Sequence, residues 1–334
     1  MDQNLEVAVV GATGVVGREI LGALADRDHA PEHVTALASD RSEGEEVAYG
    51  EETLQVEKTS PDSFRGMKVV FLAVPPEAAR TLAPAAQAAG AWVVDVSQAF
   101  ANDATVPTAA PSLRGDLLDA PFKGRIVRVA APVADAVLEA LWPLRDQIDR
   151  VELTALVASS SVGQRGIAEL EQQTAHLLSG RDQEPGHFPH RLAFNAIPQV
   201  GPGFDDAGRS ADEALWEADL QRLWRGTASF LATGLQVPLF YGHLVTVTAG
   251  LRAPTTVETV RQALGSNPRL KLLDEPKERI YPMPMLVTHD ASVHVGRVRV
   301  TAGGRALNLV LAFDNTGCTA QAALDTADRL LGKP

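Results

Sequence analysis

The sequence predicts an α/β protein whose N-terminal part is a doubly wound parallel sheet, and three observations carry that expectation. A β-branched run at residues 5–10 passes straight into Gly11-Ala-Thr-Gly14-Val-Val-Gly17, after which Val16, Ile20, Leu21 and Leu24 recur at helical spacing. Residues 33–38, 69–74 and 92–96 are further strand-like runs, and 69–74 is nearly all apolar, as a strand buried on both faces must be. An alanine-rich helix at 78–89 and short connections separate them, the alternation expected of a parallel sheet wound by helices.

The pattern changes after about residue 130. Residues 135–144 read as a helix with Pro143 at its end, 151–158 as a strand and 166–178 as an amphipathic helix. Residues 180–190 are polar with two prolines and read as a loop, and 212–223 as another helix. Strand-like stretches follow at 229–241, 244–251, 292–301 and 306–313, and 319–331 is helical again. The second half is therefore mixed α+β with long strands.

Composition narrows the function classes. The chain has 334 residues, 45% of them hydrophobic and 22% charged, which suits two globular domains. The net charge of −12 implies no basic face, so nucleic acid and anionic membrane are poor partners. The one cysteine, Cys318, allows neither an internal disulfide nor a cysteine zinc cluster. Residues 1–6 are acidic and the apolar run that follows is too short for a signal peptide. Residues 226–251 lack Asp, Glu, Lys and Arg, but Pro238, Gly242 and His243 favour buried strands over a membrane span. A cytoplasmic protein is expected.

Gly11, Gly14 and Gly17 stand between a strand and a helix. Glycine lets backbone approach a phosphate, and the helix N-terminus offers free N–H groups and partial positive charge. The spacing is a variant of the dinucleotide fingerprint, so Gly11, Thr13, Gly14, Val15, Val16 and Gly17 form the expected cofactor turn. At the end of the second strand lies Ser39-Asp40-Arg41-Ser42. Arg41 suits a 2′-phosphate, with Ser39 and Ser42 donating hydrogen bonds, which favours NADP; Asp40 facing a ribose keeps NAD possible.

With those residues in hand, the chain resembles the aspartate-semialdehyde dehydrogenase family over nearly its whole length. The motifs are Gly11 to Gly17, Ala38-Ser-Asp-Arg-Ser42, Asp95-Val-Ser-Gln-Ala-Phe100, Leu192-Ala-Phe-Asn-Ala-Ile-Pro-Gln199, Val237-Pro-Leu-Phe-Tyr-Gly-His243, Tyr281-Pro-Met-Pro284, Val295-Gly-Arg-Val-Arg299 and Asp314-Asn315. The resemblance implies a Rossmann-like dinucleotide-binding domain, 1–130 plus 315–334, and an α+β substrate domain, 131–314, whose sheet forms a homodimer. It also implies the family reaction of amino-acid biosynthesis, in which a thiolate attacks aspartate semialdehyde, hydride passes to NADP and phosphate cleaves the thioester.

The chemistry that the resemblance implies has no side chains here to perform it. The family's Asn-Pro-Asn-Cys motif matches Ala131-Pro132-Val133-Ala134, which places Ala134 at the nucleophile position. Ala101 stands where the family has a phosphate-binding arginine, Val157 where it has a substrate-orienting glutamine, and Gln236 where it has the arginine that clamps the substrate carboxylate. Asp212-Glu213-Ala-Leu lacks the phosphate-site lysine, and no lysine follows Asp314-Asn315. His243 keeps the family's general-base position, but a lone histidine in an apolar stretch is commonly structural. Cys318 matches no nucleophile, and Ser159, Ser160 and Ser161 lack the glycine pattern of a nucleophile elbow. Losing a nucleophile costs on the order of 10⁶ in turnover, and a broken buried charge pair about 2–5 kcal/mol. The expectation is a Usg-type paralogue that binds NADP and dimerises, with a regulatory or interaction role and a protein partner that the sequence does not name. The alternative is an active NADP-dependent oxidoreductase, of the family's own type or on another small carbonyl substrate with His243 as proton donor.

Overall fold

The computed structural model describes residues 1–110, 123–181, 183–301 and 303–332. Residues 111–122 of the expected first domain, 182 of the expected loop, 302, and 333–334 of the expected returning stretch lie outside the described residues. The chain divides into two compact units, Met1–Ala130 with Thr319–Pro334, and Ala131–Cys318.

The first unit runs β1 (Val7–Val10), α1 (Val15–Ala25), β2 (Val34–Ala38), β3 (Glu46–Tyr49), β4 (Glu52–Lys58), β5 (Val69–Leu72), α2 (Pro76–Ala88), β6 (Trp92–Asp95), β7 (Thr108–Ala109) and β8 (Ile126–Val129). The strand order is β3-β4-β2-β1-β5-β6-β8-β7. Every pairing is parallel except β3 with β4. All residues of β1 and β5 are buried, which is why their sequences are unbroken apolar runs. Ile20, Leu21 and Leu24 of α1 cover one face together with Ala323, Leu324 and Ala327 of the C-terminal helix. Ala79, Ala83 and Ala86 of α2 and Phe64 cover the other. The β3–β4 hairpin escapes sequence reading because it is mostly exposed, with Val47, Tyr49 and Val56 buried and Leu54 packed half-buried against the core.

The second unit contains α3 (Pro132–Leu141), β9 (Ile148–Val157), α4 (Gln164–Leu178), α5 (Ala211–Trp224), β10 (Ser229–Gln236), β11 (His243–Leu251), α6 (Val257–Gly265), β12 (Leu270–Leu272), β13 (Val293–Val300), β14 (Ala306–Phe313) and the start of α7 (Asn315–Leu330). Its sheet order is β10-β9-β11-β14-β13-β12. Burial alternates strictly along β11, along β9 from Val151 onward and along β14 as far as Leu311. Leu153, Ala155, Val247 and Leu309 point to the covered face, and Trp216 of α5 packs against Gly234 of β10 on that same side. The opposite face carries Leu235, Leu156 and Leu244 in one cross-strand row and Thr233, Thr154, Thr246 and Val310 in the next, with Leu231 beyond them 57% exposed. That face is apolar and threonine-rich with only partial cover.

Three boundaries differ from the sequence expectation for local reasons. The strand expected at 229–241 stops at Gln236, because Pro238 has no N–H and the Leu239 and Phe240 carbonyls instead accept from the Ser159 and Ser160 amides at 2.8 and 3.0 Å. α3 starts at Pro132, a favoured first helical position, and Pro143 falls in the following 3-10 turn. α7 starts at Asn315 because Asp314 Oδ1 accepts from the Thr316 amide and hydroxyl at 3.0 and 2.8 Å.

The packing of α1 generates a paired expectation. A Cβ on Gly17 would lie 2.0 Å from the Gly11 carbonyl oxygen, whereas one on Gly22 meets nothing within 4 Å. Gly17→Ala should therefore lower stability by about 1–3 kcal/mol through overpacking, and Gly22→Ala should raise it by about 0.5–1 kcal/mol through helix propensity. Denaturant titration of the two variants reads both signs.

Candidate functional site

The first unit supplies a backbone cradle at the start of α1. Gly11 adopts φ +89°, and its amide, with that of Ala12, donates to the Leu37 carbonyl at 2.8 and 3.1 Å. A Cβ on Gly11 would lie 2.2 Å from the Ala73 carbonyl oxygen. These contacts press the turn flat against the carboxyl ends of β1, β2 and β5. α1 then begins at Val15, and among the described residues no side chain caps it. Its first turn, Val15-Val-Gly-Arg18, carries no carboxylate to compete for its free amides. Uncapped amides, a glycine-flattened approach and the positive end of the helix fit a dinucleotide pyrophosphate.

Arg41 and Ser42 lie on a short 3-10 turn with Ser39 at its N-cap, at the carboxyl end of β2 and beside this cradle. The Thr13 hydroxyl donates to Ser42 Oγ at 3.5 Å and ties the two loops. Arg18 Nε donates to the Thr13 carbonyl at 3.1 Å. Sequence reasoning missed Lys58, whose ammonium lies 3.3 Å from Asp40 Oδ2. Asp40's own backbone amide and then Lys58 hold its carboxyl below the usual range. Lys58 ends β4, in register with Ala38 of β2, and the polar/apolar alternation of residues 52–58 was the available signal. With Lys58 paired to Asp40, Arg41 is left as a cation on this turn.

The second unit gathers another set of expected positions. Val157, Gln236 and His243 come together because β9 pairs with β10 at Val157–Gln236 and with β11 at Leu156–Leu244. Each is almost fully buried and committed to the scaffold. Gln236 Nε2 donates to the Val157 carbonyl at 2.9 Å, and its Oε1 accepts from the Ser161 hydroxyl at 3.5 Å. The Ala158 amide donates to His243 Nδ1 at 3.3 Å, and the Phe313 ring meets the imidazole edge-on at 5.5 Å between centroids. Burial lowers the His243 pKa to about 4, against the opposing Asp314 charge and a hydrogen bond with the Gly242 backbone. The imidazole is neutral at physiological pH.

The remaining positions follow the same pattern. Ala134 is a fully buried methyl in the first turn of α3. Glu213 accepts from the Ser210 and Gly234 amides, both at 2.7 Å, and so caps α5 and pins β10. Burial and the neighbouring Glu213 charge raise Asp212 to about 6. Ser160 donates to Asn315 Oδ1 at 2.7 Å, and Ser159 to the Phe240 carbonyl at 3.4 Å, so these serines brace loops. Cys318 is half-buried, and burial followed by the Asp135 charge pushes its thiol up, which holds it in the protonated form. Ala101, in the first unit, lies in the turn after β6 and carries only a methyl group.

Among the described residues there is no cluster of three metal-ligating groups. Among them, too, no helix is long and apolar enough to cross a membrane.

The buried histidine gives a pH signature. Its folded pKa, about 4, lies below the 6.5 of a free imidazole, so its contribution is full above pH 6.5 and is lost as pH falls towards 4. Between pH 7 and 5 wild type should lose about 2 kcal/mol more stability than His243→Gln. Parallel curves for the two proteins, measured by denaturant unfolding, would refute the neutral buried imidazole.

Comparison with known proteins accords with both halves. Residues 6–120 match the model of the semialdehyde dehydrogenase NAD binding domain, and residues 141–317 that of the semialdehyde dehydrogenase dimerisation domain. The chain is 31% identical over 312 residues to aspartate-semialdehyde dehydrogenase of Bacillus subtilis, covering 90% of this chain and 89% of that protein. It is 33% identical over 323 residues to a USG-1 protein homolog of Pseudomonas aeruginosa, covering 94% of each. The crystal structure of aspartate semialdehyde dehydrogenase II from Vibrio cholerae superposes with a TM-score of 0.92 at 29% identity over 98% of both chains. An NAD-binding parallel-sheet domain followed by a semialdehyde dehydrogenase dimerisation domain places this chain in the aspartate-semialdehyde dehydrogenase family.

Proposed function

We propose that this protein is a homodimeric member of the family that binds NADP and has lost acyl-enzyme catalysis. The observation that carries the reading is the state of the aligned catalytic positions. Ala134 offers a buried methyl where the motif has its thiol. Gln236 spends its amide on the Val157 carbonyl where the motif has a free arginine, and His243 is a neutral imidazole with nothing to deprotonate. A neutral, inward-turned Gln236 cannot grip a carboxylate in two-pronged fashion. Cys318, protonated at neutral pH, does not substitute for the thiol.

The cofactor turn supports retained nucleotide binding. Gly11, Thr13, Gly14, Val15, Val16 and Gly17 would hold the pyrophosphate, and Ser39, Arg41 and Ser42 the 2′-phosphate, with Lys58 offsetting Asp40. A bound nicotinamide would supply hydride chemistry. The half-covered face of Leu231, Leu235, Leu156, Leu244 and Val310 supports self-association of the dimerisation domain. The alternative of an active reductase on another carbonyl asks His243 to donate a proton, and a buried imidazole with a pKa near 4 is neutral and a poor acid at pH 7.

Two experiments test this. Arg41→Ala should weaken NADP by roughly 10- to 100-fold and leave NAD within about twofold, because only the 2′-phosphate loses a charge-assisted pair. Equal weakening of both, or no binding by wild type, contradicts NADP preference. Phosphate-dependent NADPH formation from aspartate semialdehyde should be absent in wild type and still negligible in Ala134→Cys. A new thiol without orientation forgoes most of the about 7–11 kcal/mol that positioning supplies. The combination Ala134→Cys, Val157→Gln, Ala101→Arg and Gln236→Arg should exceed the sum of its parts, since such residues act as a unit. Robust wild-type turnover would refute the loss of catalysis.

A further inference from the structure

Arg128 is the largest fully buried side chain among the described residues, an unusual occupant for a strand of a parallel sheet, here the one next to the edge strand β7. It stands on β8 between Asp95 of β6 and Thr108 of β7, in register with both. Its Nη1 donates to Gln98 Oε1 at 2.5 Å and to the Val129 carbonyl at 3.5 Å, while Gln98 Nε2 donates to that same carbonyl at 3.1 Å. Both ends of the Gln98 amide are thus spent on β8. Gln98 itself has φ +65°, a conformation that a residue with a side chain keeps only when its surroundings impose it.

The rest of the turn is tied as firmly. Asp95 Oδ1 accepts from the Ser97 amide at 3.0 Å and from its hydroxyl at 2.5 Å, and Ser97 Oγ accepts from the Ala99 amide at 3.2 Å. Arg80 of α2 donates to the Ala99 carbonyl at 3.0 Å. Burial raises the Asp95 pKa, and the Ser97 hydrogen bonds and the Arg128 charge oppose that rise. Residues 97–100 are therefore held from β6, β8 and α2 together.

Position gives this rigidity a use. The strand order turns at β1: β2, with Ser39 to Ser42, lies on one side, and β5 and β6 lie on the other. Ligands of such sheets lie across the carboxyl ends at this switch point, with the pyrophosphate on the glycine turn. The adenosine half then falls on the β2 side and the other half over β5 and β6. At about 4.8 Å per strand, the turn after β6 lies roughly 10 Å from the glycine turn.

We propose that Arg128 is a positioning residue: through Gln98 it locks residues 97–100 into a preformed floor for the nicotinamide half of the dinucleotide. This rests on the dinucleotide-binding reading above. The test compares NADPH with 2′,5′-ADP, which carries the adenosine half alone, in wild type, Arg128→Met and Gln98→Gly. Gln98→Gly keeps the positive φ without strain and removes only the amide ties. It serves where Arg128→Met, by leaving Asp95 without its counter-charge, fails to fold. Calorimetry should show NADPH weakened at least tenfold in either variant and 2′,5′-ADP changed less than twofold. The shift of nicotinamide fluorescence on binding should shrink, and amide exchange in residues 97–100 should quicken. NADPH binding equal to wild type in a folded variant overturns the inference, as does equal weakening of both ligands. Equal affinity of wild type for NADPH and 2′,5′-ADP also overturns it while leaving the dinucleotide reading in place. Binding of neither by wild type removes that reading and the inference with it.

Discussion

The close approach of α1 to the turn after β1 governs the first unit. With 2.0 Å between a notional Gly17 Cβ and the Gly11 carbonyl oxygen, and 2.2 Å between a notional Gly11 Cβ and that of Ala73, backbone meets backbone with no room for a methyl group. That contact sets the start of α1 over the carboxyl edge of the sheet. The helix end left uncapped by side chains is thereby aimed where an anion can reach it. The loops that complete the corner, at 39–42 and 97–100, inherit their positions from strands that pair around this contact.

The second unit answers a different demand. Its six-stranded sheet turns one face towards helices and leaves the other half-covered, and the strand register brings Val157, Gln236 and His243 together at one end of β9, β10 and β11. Buried polar groups must find partners, and here they find them inside the scaffold: an amide on a backbone carbonyl, an imidazole on a backbone amide, hydroxyls on neighbouring loops. A residue used in this way is not available to a substrate. The proposed loss of catalysis thus needs no unfolding of the site, because the same positions have become internal bracing.

Strong local rules made much of this legible in the sequence. The glycine turn, the apolar runs of β1 and β5, and the ordered family motifs each point one way. The β3–β4 hairpin was hidden because two-thirds of its residues face solvent and leave no apolar run. The end of β10 was hidden because residues 237–241 are as apolar as a strand and only their carbonyl partners, the Ser159 and Ser160 amides, reveal the turn. Lys58 and Arg128 were missed for a related reason. Each acts on a residue distant in sequence, Asp40 and Gln98 respectively, and sheet register alone brings the partners together.

The central claim joins retained nucleotide binding to absent covalent chemistry, and native mass spectrometry reads both in one sample. The protein is incubated with NADP and aspartate semialdehyde without phosphate, so that any thioester formed accumulates. The account predicts a dimer carrying NADP and no aspartyl adduct on Cys318 or elsewhere. A thioester-linked aspartyl group would contradict the loss of acyl-enzyme chemistry, and a dimer that takes up no nucleotide would contradict the retained cofactor site.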